Sequence, residues 1–135
     1  METLQLVYRA LTGDAELRGL VADRVFEHVP ARARMPYVVL GEVVTRPWDT
    51  ASDRGRLDDI TVHVWSRGSS RADVAAAAHR IERALRFENL ASVAESAAAA
   101  PPVNVVRGER RIERLPERDL VHATLRFRLT REDQA

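Results

Sequence analysis

Two stretches of this chain alternate so strictly that they leave little choice of fold. In Leu57–Trp65 the residues Ile60, Val62 and Val64 fall on one side of an extended chain, with Thr61, His63 and Trp65 on the other. Further on, Val121, Ala123, Leu125, Phe127 and Leu129 alternate with His122, Thr124, Arg126 and Arg128. A strand with one apolar face has to bury that face against another element. A cover is encoded between the two stretches. Val74, Ala77, Ala78, Ile81, Ala84 and Leu85 recur at helical spacing and predict an amphipathic helix over about 71–88, with His79, Arg80, Glu82, Arg83 and Arg86 on its polar side. Ser70 and Asp73 have the spacing of a capping box at its start.

The other elements arrange themselves around these three. Leu4, Tyr8 and Leu11 predict a helix over 3–12 that stops at Gly13, and Asp14 caps a second, short helix to about Leu20. Arg24–Val29 reads as a short strand ending at Pro30, and Tyr37–Val44 as a strand rich in β-branched and aromatic residues. Pro47 to Gly55 is polar, the long loop of a hairpin that joins 37–44 to 57–65. Leu90–Ala100 is Ala-rich and suits either a helix or a connector. Val103 and Val105 favour a strand while Glu109–Leu115 has helix-forming composition; the turn at Leu115-Pro116-Glu117-Arg118 makes 103–130 a second hairpin. The expected order is α, α, β, β, β, α, β, β. This is an α+β fold: an antiparallel sheet built from two hairpins with helices packed on one face. With 135 residues, 45% of them hydrophobic, the chain has the size and composition of one domain, 1–135.

The residue inventory removes several chemistries. There is no cysteine, hence no disulfide, thiolate metal site or Cys nucleophile. All 21 basic residues are Arg, so Schiff-base and phosphate-loop lysines are excluded as well. Of the four histidines, His63 and His122 lie on polar strand faces and become neighbours if their strands pair. A metal site there would need a third ligand that the sequence does not supply, which favours sheet-surface histidines. Asp58 and Asp59 point to opposite faces of a strand and make a poor shared site; they read as solvated charges that discourage edge pairing. Ser66, Ser69 and Ser70 lack a Gly-x-Ser-x-Gly elbow, and no Gly-rich phosphate loop occurs. Neither an enzyme nor a cofactor is expected. Arg107, Arg110, Arg111, Arg114 and Arg118 alternate with Glu109, Glu113, Glu117 and Asp119, a mixture that suits ion pairing with protein better than gripping a polyanion. Trp48, at the base of the loop, and Trp65 are either interface anchors or, for Trp48, a cover over the chain's own core. No apolar run is long enough to cross a bilayer, and Met1-Glu2-Thr3 lacks the basic flank of a signal peptide, which predicts a cytoplasmic start.

A series of short motifs resembles the tail-completion family of siphophages, prophages and gene transfer agents. It runs through Pro30, Pro36-Tyr37-Val38-Val39-Leu40-Gly41-Glu42, Trp48-Asp49-Thr50 and Val62-His63-Val64-Trp65-Ser66-Arg67. The Ala-rich helix and His122-Ala123-Thr124-Leu125-Arg126-Phe127-Arg128 complete it. The resemblance implies a structural tail terminator: a six-fold ring of identical subunits (a hexamer) that caps the tail tube and joins it to a head-side connector or stopper. Its implied partners are copies of itself, the tail tube protein and that connector, with duplex DNA passing through without tight binding, and no membrane. Assembly would take place in the bacterial host cytoplasm and end in the particle's tail or neck. The family brings no catalytic, metal or cofactor residues. Glu95–Pro102 departs from it by being longer and richer in Ala. A net charge of +1 suits a channel that must let a duplex slide. The residues expected at the subunit or tube interface are Trp48, Asp49, Asp53, Arg54, Arg56, Trp65 and Arg67. The alternatives are another head–tail neck protein (stopper or adaptor) and a small Arg-rich nucleic-acid-binding domain.

Overall fold

The computed structural model describes residues 1–68 and 71–132. In chain order its elements are α1 (Thr3–Thr12), α2 (Ala15–Val21), β1 (Val25–Phe26), β2 (Tyr37–Pro47), β3 (Gly55–Arg67), α3 (Arg71–Ala84), α4 (Phe87–Ser96), β4 (Asn104–Leu115) and β5 (Leu120–Glu132), with a 3-10 turn at Pro116–Arg118 between the last two. The sheet order is β1-β2-β3-β5-β4. Both hairpins form, and β3 pairs with β5 in the centre from Gly55↔Glu132 to Arg67↔Leu120. The alternating residues meet there: Ile60, Val62 and Val64 of β3 and Val121, Ala123, Leu125, Phe127 and Leu129 of β5 are buried in one core. Helices cover that face only, through Leu6, Val7 and Leu11 of α1, Val74, Ala77 and Ile81 of α3, and Leu90 of α4. Asp14 caps α2 as its position predicts, accepting the Leu17 N–H at 2.9 Å, and also accepts from Arg80 of α3 at 2.9 Å, tying the two helices together.

Several expectations are corrected. The strand expected over 24–29 is only Val25–Phe26, and it runs parallel to β2 as a short edge. The expected helix over 71–88 ends at Ala84, and 87–96 forms a separate helix α4, which settles the Ala-rich stretch as mostly helical. The break is stabilised locally, since Asn89 Nδ2 donates to the Ala84 carbonyl at 2.6 Å. The helix-forming composition of Glu109–Leu115 is overridden by pairing with β5, as tertiary context commonly overrides propensity. The long loop is shorter than expected: β2 and β3 continue to Pro47 and from Gly55, the Trp48 N–H donates to the Gly55 carbonyl at 2.8 Å, and Thr50–Asp53 closes the turn at 2.8 Å. Asp58 is not a solvated edge charge, because β3 is central and its carboxylate is buried at 2% exposure. Ser69 and Ser70, with the expected capping box, lie outside the described residues.

Each hairpin carries one irregularity, and the two are level with each other. On β2 the register shifts between Leu40 and Val43, so Gly41-Glu42 bulges opposite Thr61. On β4 it shifts between Arg107 and Arg110, so Gly108-Glu109 bulges opposite Arg126. Thr61 and Arg126 are themselves paired across the central strands. Glycine is favoured at both bulges by close approach. A Cβ on Gly41 would lie 3.0 Å from the His63 ring and the Thr61 carbonyl, and one on Gly108 would lie 3.1 Å from the Arg126 carbonyl.

Candidate functional site: the open face of the sheet

Antiparallel sheets commonly leave one face to solvent. Here that face collects the polar halves of the alternating strands into cross-strand rows. One row runs Val44–Asp59–Arg128–Val106 and another Tyr37–Trp65–His122–Glu113. In the first, Asp59 accepts from Arg128 Nε at 2.7 Å and Nη2 at 3.1 Å and pairs with Arg46 at 3.1 Å. The Arg128 hydrogen bonds and the two positive charges hold the Asp59 carboxyl below the usual range, outweighing its partial burial. Three of the four Arg residues of β4, Arg107, Arg110 and Arg111, are taken up in the same way. Arg111 pairs with Glu109 at 3.2 Å and Glu113 at 3.6 Å, while Arg110 crosses the edge to Glu82 of α3 at 3.3 Å. Positive charge spent on neighbouring carboxylates is poorly placed to neutralise phosphates.

The second row holds an aromatic stack that extends diagonally to His63. Trp65 stacks on His122 with centroids 3.9 Å apart and planes 6° apart, and His122 stacks on His63 at 5.0 Å. His63 Nδ1 and His122 Nε2 are 2.8 Å apart, a distance that requires one shared proton between two neutral rings or one charge over the pair. Burial lowers both pKa values from the usual 6.5 or so. For His63, Arg126 lowers it further and Glu42 opposes; for His122, His63 lowers it further and Glu113 opposes. The pair that the two polar strand faces predict therefore exists. Among the described residues no group of three or more His, Asp or Glu is placed to hold a metal.

This arrangement has a pH signature. Both histidines titrate lower in the folded chain than in the unfolded one, so their contribution is complete above about pH 6.5 and is lost as pH falls toward the folded values. Asp14 and Asp59, whose pKa values also fall on folding, act only below the carboxylate range near 3.8. Stability measured by urea denaturation is expected to decline between pH 7 and 5, and the double variant His63→Gln, His122→Gln to show a flatter profile. An unchanged slope would mean the pair is not coupled to folding.

The seven residues expected at an interface divide into separate places. Trp48, 44% exposed, sits with Asp49, Asp53 and Arg54 at the hairpin tip. Arg56 turns toward the core side and pairs with Asp58 at 3.4 Å. Trp65 lies in the histidine stack, and Arg67 is exposed at the far end of β3. Ten residues of strand, roughly 30 Å at ~3.3 Å per residue, separate Gly55 at the tip from Trp65. Sequence reasoning missed the exposed valines Val44, Val103 and Val106, although an apolar residue among the charges of an outer strand was a readable signal.

The fold is an α+β sheet with helices on one face and an open, charge-paired face on the other. The chain belongs to the family described as Tail completion protein gp17, which matches residues 5–132. Its fold is similar to that of a chain in a solved structure titled "Virion of native gene transfer agent (GTA) particle", with a TM-score of 0.77 and 24% identity over 94% of this chain and 92% of that one. Among curated proteins none matches. The family is one of structural tail proteins, and a tail structural role follows for this chain.

Proposed function

We propose that this protein is a tail terminator: a ring of identical subunits, six by the family resemblance, that caps the tail tube of a phage-like particle and joins it to the head-side connector. The supporting observation is that the family match extends from α1 into β5 and so takes in the whole sheet and the helices that cover it. Head-to-tail contact between two different surfaces closes a ring when the rotation per step is right. The exposed tip with Trp48, Asp49, Asp53 and Arg54 is one contact to a neighbour or to the tube. Arg67 is a second, at the other end of the strand, with Trp65 and Arg56 acting as supports through their internal partners. Where arginines are tied to carboxylates, as Arg128 is to Asp59 and Arg111 to Glu109, a channel wall holds a duplex less firmly. Assembly begins in the host cytoplasm and ends in the tail or neck.

Electron microscopy of particles made without this protein tests the reading. Tails of uncontrolled length are the expected result. Tails of normal length without heads would instead assign it to the neck as a stopper or adaptor, and normal particles would overturn both readings.

A further inference from the structure

The two outer edges of the sheet are protected along half their length and open along the other half. On one side, β1 covers only Val38 and Val39 of β2. Beyond the Gly41-Glu42 bulge, β2 runs on as Val43–Pro47 with, among the described residues, nothing paired on its outer side. On the other side β4 is the edge throughout. Its second half, from Arg107 past the Gly108-Glu109 bulge to Arg114, is dense with charge, which together with a bulge is how natural edges resist pairing. Its start, Asn104-Val105-Val106 with Val103 before it, has no charge and no bulge, and only the Asn104 side chain, accepting the Val105 N–H at 2.9 Å, occupies it. An edge guarded over one short stretch only by a displaceable side-chain hydrogen bond, and elsewhere by charge and a bulge, is a selective opening.

The two openings match. Val44 and Val106 end the same cross-strand row, lie on the same face, and are 46% and 49% exposed. The backbone is ready on the β2 side. The Trp48 N–H to Gly55 bond fixes the ladder's alternation, so Val43 and Thr45 direct N–H and C=O outward, and Pro47, which has no N–H, ends the donors. Because β2, β3, β5 and β4 alternate in direction, β2 and β4 run opposite ways. A copy rotated about an axis along the strands brings its β4 antiparallel to the neighbour's β2, at the same level and with the same face outward.

We infer that the occupant of the free edge of β2 is a second copy of this chain, whose 103–106 segment adds as an antiparallel strand to 43–47 and sets its Val106 beside Val44. The bulges bend the strands below the join, which lets the charged half of β4 pass outside β1. Backbone hydrogen bonds supply the adhesion once the Asn104 side chain gives up the Val105 N–H to the incoming strand, and the paired valines fix the register. This inference rests on the ring reading and names its joint.

The absence of cysteine makes the test direct. The variants Val44→Cys and Val106→Cys are prepared separately in the full chain, mixed and mildly oxidised. A disulfide-linked dimer is expected in the mixture at least tenfold above either variant alone, and the double variant V44C/V106C should give a ladder of covalent multimers. Equal self-linking by either single variant means a two-fold contact and overturns the joint. Rings seen by microscopy without the mixed link leave the ring reading standing but place its joint elsewhere. Cross-linked open chains that never close would keep the joint and sink the ring. Neither variant should alter the folding transition, since both positions are exposed.

Discussion

Replacing Asp58 with Ala is expected to cost about 3–5 kcal/mol of folding stability, the usual penalty for removing one partner of a buried charge network. The carboxylate is almost fully enclosed and accepts from Thr3 Oγ1 at 2.5 Å and Thr45 Oγ1 at 2.6 Å, with Arg56 Nε 3.4 Å away. Through Thr3 it meets Arg131, which donates to Thr3 Oγ1 at 3.2 Å and to the Met1 carbonyl at 2.8 Å. The network thus fastens the first helix to the last strand across the end of the sheet. Burial, and then Arg56, push the Arg131 guanidinium below its usual pKa, while Asp58 and Glu2 oppose that shift. Without Asp58 two poorly solvated cations face each other. Asp58→Asn keeps an acceptor oxygen but loses the charge, and should fall between wild type and Asp58→Ala. Urea denaturation measures both, and a loss below about 1 kcal/mol for the alanine variant would show that the network contributes little.

The second large effect belongs to the core. Leu125 is 1% exposed at the middle of β5, paired with Val62 on one side and Arg110 on the other, and its side chain enters the layer between sheet and helices. Leu125→Ala removes buried methyl groups and leaves a cavity that a strand held on both sides cannot collapse to fill. About 2–5 kcal/mol is expected to be lost, with an unchanged denaturant slope. Val106→Ala, on the open face, should change stability by less than about 0.5 kcal/mol. If the two variants were equally mild, the helices would not be pressed onto the sheet as described.

The parts of this fold that were legible in the sequence are those where a period survives. Alternation in 57–65 and 121–129 marked the two central strands and their buried faces, and the stripe from Val74 to Leu85 marked the cover. The neighbouring of His63 and His122 followed from the same alternation. β4 was obscure because its inward-facing Arg107 and Arg110 reach over the edge to Glu82, so both of its faces look polar. Asp58 was misjudged because an Asp-Asp pair reads as surface, whereas the pleat sends Asp59 to Arg128 in the open and Asp58 into the closed end. The two bulges left no trace in any pattern, since one added Gly-Glu step is indistinguishable from ordinary polar sequence until its partner strand is known. The proposed interface was the least readable part. Trp48 drew attention as a large aromatic, while the valines at the open edges have meaning only once strand order and register are known.

The central proposal is that this protein works by adhesion to copies of itself and to a tube. A symmetry-resolved image of the head-proximal end of the tail tests that claim most directly. A closed ring of this fold seated on the last tube layer, with its subunits in head-to-tail contact, is the predicted density. A single copy there, or a tube end bare of it, would contradict the account.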